Sequence, residues 1–398
     1  MAERKAIRLG SVVRTNVSTY SEKEGWAFVN YLDTGNITQD TISEIQRINV
    51  GTDKLPSRAR RKVQIGNIIY STVRPNQLHY GFIKSQPDNF LVSTGFAVID
   101  VNEKEAVPEY IYYFLTHRDV TERLQAIAEQ STSAYPSIKP SDIEDLTIDL
   151  PPIEEQRKIV GLLKMLDGKI KQNTEINNNL TEQARSIYQS WFIDYEPFGR
   201  TMPLDWIPSS LGGVATMKTD SWSPSKNPET IVEHYSIPAY DEKHYPVFEI
   251  ASGIKSNKYI LTPDSVMISK LNPDTKRIWR PMCLSAHPIC STEFIVYEAK
   301  KAAQKDFVYS ILDSAPFLNF LCSHTTGSTN SRQRATPKAT LDFPIMLPPD
   351  SIIEEFCQIV SPMYDLISKN IIENQSLAKA RDIMLPKLMN GELDVSDL

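Results

Sequence analysis

The stretch from Pro151 to Trp191 constrains the fold most, because it reads as one unusually long helix. Proline is tolerated at a helix start, Glu154 and Glu155 fall in the first turn where the helix dipole favours acids, and no breaker follows before Pro197. At 1.5 Å per residue, a helix of roughly 37 residues is about 55 Å long, which exceeds the width of a small domain. Such a helix must pack against another long helix or connect separate bodies.

Seam residues in this stretch recur alternately four and three positions apart, which is the spacing of a coiled coil rather than of a broad surface face. The predicted seam consists of Ile159, Leu163, Leu166, Ile170, Asn173, Asn177, Leu180, Ala184, Ile187 and Trp191. An asparagine within a seam fixes the register of two helices at a cost in stability. The alternative is a long amphipathic core helix of one large domain, and a second long helix decides between the two.

The length and charge of the chain narrow its class. A chain of 398 residues is too long for a single core, which favours two domains or more. The net charge of −6 provides no global basic field, so any nucleic-acid site must be local. We expect neither a signal peptide nor a membrane span, because no long apolar run occurs. Four cysteines without a dense framework are typical of a reducing cytoplasm, where we expect the protein to reside.

The second half of the chain repeats the first at a nearly constant offset of about half its length. The matches include Leu150-Pro151-Pro152 with Leu347-Pro348-Pro349, Asn173 with Asn370, Asn177 with Asn374, Leu180 with Leu377, Ser93-Thr94-x-Phe96 with Ser291-Thr292-x-Phe294, and Ile68–Asn76 with Val266–Asp274. Their common order indicates an internal duplication. We therefore predict an α/β (α+β) fold with two variable domains, 1–150 and 198–348, and two antiparallel helices, 151–197 and 349–398, whose asparagines lie near one another.

Within each domain the pattern predicts short strands followed by a helix. The predicted strand-rich runs are Val63–Val73 and Phe90–Val101 in the first domain, and Tyr259–Ile268 and Phe294–Tyr297 in the second. The predicted helices are Glu109–Glu129 and Asp306–Cys322.

The second long helix is less regular than the first. Ser351 and Glu354 have the spacing of a capping box, and Gly391 suits the left-handed position after a helix. Pro362 and Pro386 are expected to kink or restart it. Its apolar positions form two stripes, Ile359, Met363, Leu366, Leu377, Ala380 and Met384, and Val360, Tyr364, Ile367 and Ile371.

Cationic and amide side chains cluster in both variable domains. Arginine, asparagine and glutamine match the base edges of guanine and adenine, and nearby cations contact phosphates, whereas the competing interpretation is a solvated loop. The candidate DNA-binding residues are Arg58, Arg60, Arg61, Lys62, Arg74, Asn76, Gln77, Tyr135 and Lys139 in the first domain, and Lys255, Lys258, Lys270, Asn272, Lys276, Arg277, Arg280, Arg332, Gln333 and Arg334 in the second.

The arrangement resembles the DNA specificity subunit of Type I restriction-modification systems over essentially the whole chain. The motifs that carry this resemblance are LPPIEEQRKIVGLL, ARSIYQSWFIDYEPFG, STVRPN, GSTNSRQRATPKATLDFPIMLPP and MLPKLMNGEL. It implies that each domain reads one half of a split DNA target. The helices would act as a spacer and dock two modification subunits, which bind S-adenosylmethionine and methylate adenine, while restriction subunits use ATP and Mg²⁺.

Catalytic motifs are not apparent in the sequence, so we predict a non-catalytic protein without a cofactor of its own. The chain has neither a glycine-rich cofactor loop nor the Asn/Asp-Pro-Pro-aromatic motif of an adenine methyltransferase, and its Gly-Lys spacing does not fit a P-loop. The spacing of Cys283, His287 and Cys290 fits no structural zinc site. Two alternatives stay open, a nuclease or methyltransferase that acts alone and a coiled-coil DNA-binding adaptor or regulator without modification partners.

Overall fold

The computed structural model describes residues 4–132, 135–326 and 333–395. The chain divides into two compact units, and both long helices contribute to each of them. Unit 1 contains the residues up to Gly168 and those from Leu377 onward, and unit 2 contains Lys169–Ser376. Each unit therefore combines a globular part with one segment of each long helix.

Unit 1 is built mainly from short strands. Its strands are β1 Lys5–Arg8, β2 Val13–Thr15, β3 Phe28–Leu32, β4 Ile37–Thr38, β5 Thr41–Ile42, β6 Gln46–Asn49, β7 Ala59–Lys62, β8 Ile68–Ser71, β9 Tyr80–Phe82, β10 Phe90–Ser93, β11 Phe96–Val101 and β12 Thr147–Leu150. Its helices are α1 Pro108–Thr116, α2 Arg118–Glu129, α3 Pro140–Glu144 and the first part of α4 Ile153–Phe192. Two sheets have the orders β6-β3-β10-β7 and β2-β11-β8-β9, and β1 pairs with β12.

Unit 2 follows the same plan. Its strands are β13 Ile207–Ser210, β14 Ala215–Lys218, β15 Ser221–Trp222, β16 Ile231–Tyr235, β17 Val247–Ile250, β18 Lys258–Ile260, β19 Ser265–Ser269, β20 Ile278–Trp279, β21 Pro288–Ser291, β22 Phe294–Ala299, β23 Thr325–Thr326, β24 Arg334–Ala335 and β25 Pro344–Leu347. Its helices are α5 Leu211–Val214, α6 Ile237–Lys243, α7 Lys305–Asp313, α8 Ala315–Ser323 and most of α9 Asp350–Asn390.

The strand orders of the two units correspond. The order β2-β11-β8-β9 in unit 1 is matched by β14-β22-β19-β20 in unit 2, and β6-β3-β10-β7 is matched by β17-β16-β21-β18, which β15 extends. Both of the latter sheets contain a parallel pair, β3 with β10 and β16 with β21. The internal duplication and the mixed α and β fold predicted from the sequence are therefore confirmed.

Each domain helix is interrupted where the sequence predicts continuity. His117 and Ser314 adopt extended backbone conformations between α1 and α2 and between α7 and α8. The His117 ring accepts a hydrogen bond from the Asp119 amide (3.3 Å), and the Ser314 hydroxyl accepts one from the Phe317 amide (3.3 Å). These caps begin a second helix, which apolar periodicity alone cannot reveal.

The long helices contribute to the core of each unit. In unit 1, Ile159 and Leu163 of α4 and Leu385 and Leu388 of α9 are buried in one apolar cluster with the strands and α1. In unit 2, the cluster includes the aromatic end of α4 and the start of α9, with Tyr188, Phe192, Phe356 and Tyr364 among its members. The helices are thus built into the globular parts rather than projecting from them.

In each unit the two helical segments run antiparallel, as predicted. In unit 1, Arg381 of α9 donates to Asp167 of α4 (2.8 Å). In unit 2, Asn173 donates to the side chain of Asn374 (2.9 Å), and Asn370 donates to that of Asn177 (2.8 Å). Higher numbers on α4 thus pair with lower numbers on α9, and Asn173 and Asn370 are buried at this pairing.

Burial separates the two stripes predicted on α9. Val360 and Tyr364 of the second stripe are buried, whereas Ile359 and Leu366 of the first are exposed. Along α4, every predicted seam position is at least partly buried. The seam of α9 therefore follows the second stripe in unit 2.

Three local predictions for α9 have different outcomes. The helix begins at Asp350, so Ser351 lies within the first turn instead of capping it. It continues through Pro362 and Pro386, so the predicted restart does not occur. Gly391 follows the last turn at φ +83°, as predicted. No helix in the described part of the chain is long and apolar enough to cross a membrane.

Candidate nucleic-acid interface

A backbone junction in unit 1 joins the loop after β8, the turn between β10 and β11, and the segment after α2. The Thr72 amide donates to the Gly95 carbonyl (2.8 Å), and the Ile138 amide donates to the Thr72 carbonyl (2.8 Å). The Arg74 amide donates to the Pro136 carbonyl (2.9 Å). We call this arrangement junction 1.

Unit 2 contains the same junction, which we call junction 2. The Lys270 amide donates to the Glu293 carbonyl (2.9 Å), the Ala335 amide to the Lys270 carbonyl (2.8 Å), and the Asn272 amide to the Gln333 carbonyl (3.0 Å). These bonds place Glu293 at the position of Gly95 in unit 1. The duplication has therefore preserved the main-chain pairing of three separate segments.

Both junctions hold a non-glycine residue in the left-handed conformation. Arg74 has φ 48° and ψ 69°, and Asn272 has φ 46° and ψ 67°. In each loop a serine hydroxyl, from Ser71 or Ser269, donates to the carbonyl and accepts from the amide two residues later. The left-handed conformation costs a non-glycine residue roughly 1 kcal/mol, and such strain occurs preferentially at binding sites.

The side chains at the two junctions differ. The Arg74 guanidinium lies over the Tyr135 ring, 4.9 Å from its centroid. In junction 2, Nε and Nη2 of Arg334 donate to the two carboxylate oxygens of Glu293 at 3.0 and 3.2 Å. These hydrogen bonds and the carboxylate charge raise the pKa of Arg334. Each junction therefore presents one arginine that is held by a second side chain.

The basic strand β7 of unit 1 carries acidic partners. Arg60 donates to Glu22 (2.9 Å), and the Lys62 ammonium is bonded to Glu24. The hydrogen bond from Lys62 lowers the pKa of Glu24. Both acids belong to a short capped turn, so a phosphate that approaches β7 must displace carboxylates already bound to these cations.

The other two arginines of this stretch have different surroundings. Arg58 is exposed, and its carbonyl accepts a hydrogen bond from the Thr94 amide (2.8 Å) in the turn that contributes Gly95 to junction 1. Arg61 is half-buried, and desolvation lowers its pKa. Arg58 therefore lies beside junction 1, whereas Arg61 faces into the protein.

Two predicted contact residues of unit 2 are held by neighbouring side chains or backbone. Lys258 is buried in β18, donates to the carbonyl (3.0 Å) and hydroxyl (2.7 Å) of Ser256, and has its pKa lowered by burial. Arg277 forms a two-pronged ion pair with Asp241 at 2.6 and 2.9 Å. These contacts favour a structural role for both residues.

Lys276 and Arg280 are engaged with buried acids. Lys276 lies 2.7 Å from a carboxylate oxygen of Asp313, which also accepts a hydrogen bond from Arg185 of α4 at 2.6 Å. Arg280 pairs with Asp306 at 2.7 Å. The Asp313 side chain is only 3% exposed, so it serves as the shared partner of a cluster that joins the loop of junction 2 to the long helix.

The remaining candidates lie in or beside exposed loops. Asn76, Gln77, Lys139 and Lys255 are exposed, whereas Lys270, Asn272 and Gln333 contribute to junction 2. Arg332 lies outside the described residues. Contact of these residues with DNA stays a prediction.

Sequence reasoning missed the acidic members of both units. The alignment of Ser93-Thr94-x-Phe96 with Ser291-Thr292-x-Phe294 left out the variable position, which is Gly95 in one unit and Glu293 in the other. That difference was a usable signal. Glu22, Glu24 and Asp313 gave none, because each is far in sequence from the cation that it binds.

The described residues contain no group of three His, Cys, Asp or Glu side chains that could hold a metal ion. Cys283 is only partly exposed, and burial raises the pKa of its thiol to about 12. The thiol is therefore protonated at neutral pH, and a protonated thiol is a poor metal ligand or nucleophile.

Comparisons with known proteins bear on the same features. Residues 7–182 match the family described as Type I restriction modification DNA specificity domain. The chain is 24% identical to the Type I restriction enzyme HindI specificity subunit of Haemophilus influenzae, with 99% of this chain and 100% of that protein covered. It is 25% identical to the Type I restriction enzyme MjaIX specificity subunit of Methanocaldococcus jannaschii, with 98% and 93% covered.

A solved structure shares the fold over nearly the full length. The S subunit of a Type I restriction-modification system from M. genitalium superposes with a TM-score of 0.57 at 16% identity, with 98% of this chain and 96% of that chain covered. Residues 7–182 thus match the Type I restriction modification DNA specificity domain, and the chain as a whole is similar to specificity subunits of Type I restriction enzymes.

Proposed function

We propose that the chain is the sequence-reading subunit of a Type I restriction-modification complex and that each unit reads one half of a split DNA target. Exposed cations such as Arg58 and Lys255 contact phosphates, and the side chains of junctions 1 and 2 approach base edges. Phosphate contacts set position and base contacts set sequence preference, so each unit needs both kinds.

One observation carries this proposal, the repetition of a single backbone junction with different side chains in the two units. A repeated backbone presents its side chains in the same way twice, while arginine with tyrosine and arginine with glutamate offer different patterns of donors and acceptors. Two domains that read unlike sequences require this combination of a constant frame and variable contacts.

The long helices supply the second part of the proposal. In each unit their segments pair antiparallel and are buried with the globular core, which suits a spacer that separates two half-sites by about one helical turn. Their outer faces retain exposed apolar residues, Met165 and Ile383 in unit 1 and Ile359 and Leu366 in unit 2. We assign these faces to the docking of two modification subunits, with restriction subunits joining the same complex.

The chemistry belongs to the partners in this proposal. The modification subunits bind S-adenosylmethionine and methylate adenine, and the restriction subunits use ATP and Mg²⁺. This chain selects the DNA and holds the partners on it, a task that needs neither a nucleophile nor a metal.

Exchange of one domain tests the proposal. Replacing residues 1–150 with the corresponding domain of a relative should change one half of the methylated motif and leave the other half intact, as read by mapping methylated adenines in cells that carry the complete system. If both halves change, the two units do not read independently. If the chain purifies without a methyltransferase and no adenine is methylated, an adaptor or regulator describes it better.

A further inference from the structure

We propose that Arg74 and Arg334 each read a base in one half of the target, and that Tyr135 and Glu293 are the positioning residues that orient these arginines. The inference rests on the proposed function and deepens it, because it names the side chains that set the sequence preference of each unit. It also distinguishes these side chains from the cations that contact phosphates and from those that form ion pairs within the fold.

The shared backbone is the first step. Junctions 1 and 2 have the same main-chain hydrogen bonds, and Arg74 and Asn272 have backbone angles that agree within 2°. A difference in sequence preference between the two loops cannot then come from the path of these segments. It must come from side chains, and the arginines are the largest donors that differ between the junctions.

The arginines enter the junctions at different places. Arg74 occupies the left-handed position, where unit 2 has Asn272. Arg334 pairs with Leu271 across an isolated bridge, and the matching bridge in unit 1 joins Val73 to Ser137. Each unit therefore has one arginine that is held by a second side chain, but the two arginines lie on opposite segments of the same β-bridge.

The position of Glu293, which holds Arg334 in place, carries an acidic side chain in unit 2 and a glycine in unit 1. A Cβ atom at Gly95 would come within 2.9 Å of the Thr34 methyl group, so junction 1 has no room for a side chain at the position of Glu293. Both turns have the same backbone bond, because Ser93 accepts from the Gly95 amide (3.3 Å) and Ser291 accepts from the Glu293 amide (3.2 Å), so the difference lies in the side chain that unit 2 carries at this position. The side chain that positions Arg74 in unit 1 must therefore come from another segment, and Tyr135 has this role.

Stability does not account for the pair of Arg334 and Glu293. Their side chains are 47% and 29% exposed, and ion pairs at such sites contribute little to folding. The pair instead fixes the plane of the guanidinium. Nε and Nη2 are used, while no hydrogen bond from Nη1 to the described residues occurs, so an outer edge stays available for the two acceptors of guanine.

The charge of junction 2 favours a base over a phosphate. Glu293 would repel a phosphate that approached Arg334, but it would accept a hydrogen bond from the amino group of cytosine. The stacking of Arg74 on Tyr135 has a comparable effect without a charge, because the ring fixes the guanidinium plane and leaves its N–H groups free to donate at the edge. Glu293 and Tyr135 therefore each orient an arginine so that it can donate hydrogen bonds in the plane of a base.

Selection from a randomised DNA duplex library tests the proposal, with the full chain purified in complex with its methyltransferase subunits. The variants are Glu293→Gln and Arg334→Lys in unit 2, and Tyr135→Leu with Tyr135→Phe as its matched control in unit 1. Each of the first three should lower the preference for one base pair by roughly tenfold, in one half-site only, because a two-pronged contact contributes about that much discrimination. Tyr135→Phe keeps the ring and should retain the parent preference.

A purely structural role would have a different signature. The salt dependence of binding should be unchanged in Tyr135→Leu, since this variant alters no charge, and the melting temperatures of Glu293→Gln and Tyr135→Leu should stay within about 2 °C of the parent. The assignment of unit 2 would be overturned if Glu293→Gln and Arg334→Lys both selected the same DNA sequence as the parent. It would also be overturned if either variant lost base preference equally in both half-sites. The proposed function would stand in both cases. If the parent complex enriches no sequence, the proposed function fails and the inference fails with it.

Discussion

The two units close their helix pairs with different chemistry. In unit 1, apolar side chains such as Leu163 and Leu385 are buried together, whereas in unit 2 the pairing passes through Asn173, Asn177 and Asn370. Apolar contacts stabilise a helix pair but tolerate sliding, while paired amides allow one register only. The amide pairs therefore fix the register of the two helical segments within unit 2.

The anchors between helix and domain show the same division. The repeated Ala-Arg motif places Arg185 on α4 and Arg381 on α9. Arg185 binds Asp313 at the end of α7, but Arg381 binds Asp167, which lies on the other long helix. The duplication has kept the arginine and moved its acid. The repeated arginine thus joins the long helix to α7 in unit 2, whereas it joins the two long helices to each other in unit 1.

The largest effect is expected from Asp313→Asn in unit 2. The variant leaves Lys276 and Arg185 without their shared acid, and loss of a buried partner should lower the free energy of unfolding by roughly 3 kcal/mol. Peptides of α7 and the loop of junction 2 should lose protection in hydrogen exchange. The matched position in unit 1 is Thr116 at the end of α1, and Thr116→Val should change protection little. Equal loss in both variants would remove the contrast between the anchors.

A smaller effect is expected from Asn370→Leu. The Asn177 amide would lose its buried donor, and an unsatisfied buried group costs about 2 kcal/mol. The double variant Asn177→Leu/Asn370→Leu should recover most of this loss in denaturant unfolding, because both polar groups are then gone. A double variant as unstable as the single one would show that packing, rather than pairing, governs this segment.

Substitutions in the acidic turn over β7 test whether this strand of unit 1 contacts phosphates, in contrast to the corresponding strand β18 of unit 2. Glu22→Gln/Glu24→Gln frees two cations from surface ion pairs and removes two negative charges, which should strengthen binding to non-specific DNA about fivefold. Arg60→Gln/Lys62→Gln should weaken it and reduce the salt slope by about 2, and neutralising Arg58, Arg60 and Arg61 should have a similar effect, because Arg61 faces into the protein and two of these three cations are available to phosphates. Fluorescence anisotropy titrations over a range of salt concentrations measure both quantities.

Unit 2 provides the control for these binding measurements. Its corresponding strand β18 carries Lys258, which is buried and bonded to Ser256. Lys258→Gln should leave the salt slope unchanged. A slope that falls as much as in the β7 variants would place β18 on DNA and erase the distinction between the two strands.

The smallest effect concerns two left-handed glycines, Gly391 directly after α9 and Gly199 after the short turn Glu196–Phe198 that follows α4. Gly391→Ala introduces strain at φ +83° and brings a methyl group within 2.9 Å of Arg4 Nε, whereas Gly199 at φ +74° has open space around it. Both substitutions should lower the free energy of unfolding by about 1 kcal/mol, with the larger loss at Gly391. Thermal unfolding compares them directly, and a larger loss at Gly199 would contradict the role of Arg4.

The sequence was informative about what repeats and about what is periodic. The helix α4, the duplication and the runs that became β8, β10 and β11 follow from spacing and from the offset between halves. The N-terminus of α9 was misplaced because Ser351 and Glu354 mimic a capping box that the helix does not use. Similarly, the break at His117 depends on a side-chain cap that leaves no gap in the apolar pattern.

The candidate site was only partly accessible in this way. Residue type and repeat position select Arg74, Tyr135 and Arg334 as candidates, but nothing local indicates which cations form ion pairs within the fold. Lys276 and Arg280 have the same sequence character as Lys255, yet they face two buried acids of α7, Asp313 and Asp306. Whether a charge is available depends on tertiary partners, and one sequence does not encode those locally.

The main-chain closure of both junctions has an evolutionary consequence. Since main-chain amides and carbonyls tie the three segments together, a substitution at Arg74, Asn272 or Arg334 removes none of these main-chain bonds. Most replacements there should leave folding intact and alter only what the surface offers to a ligand. A lineage under pressure to change its target could therefore acquire a new preference by single point mutations, without first passing through an unfolded intermediate genotype.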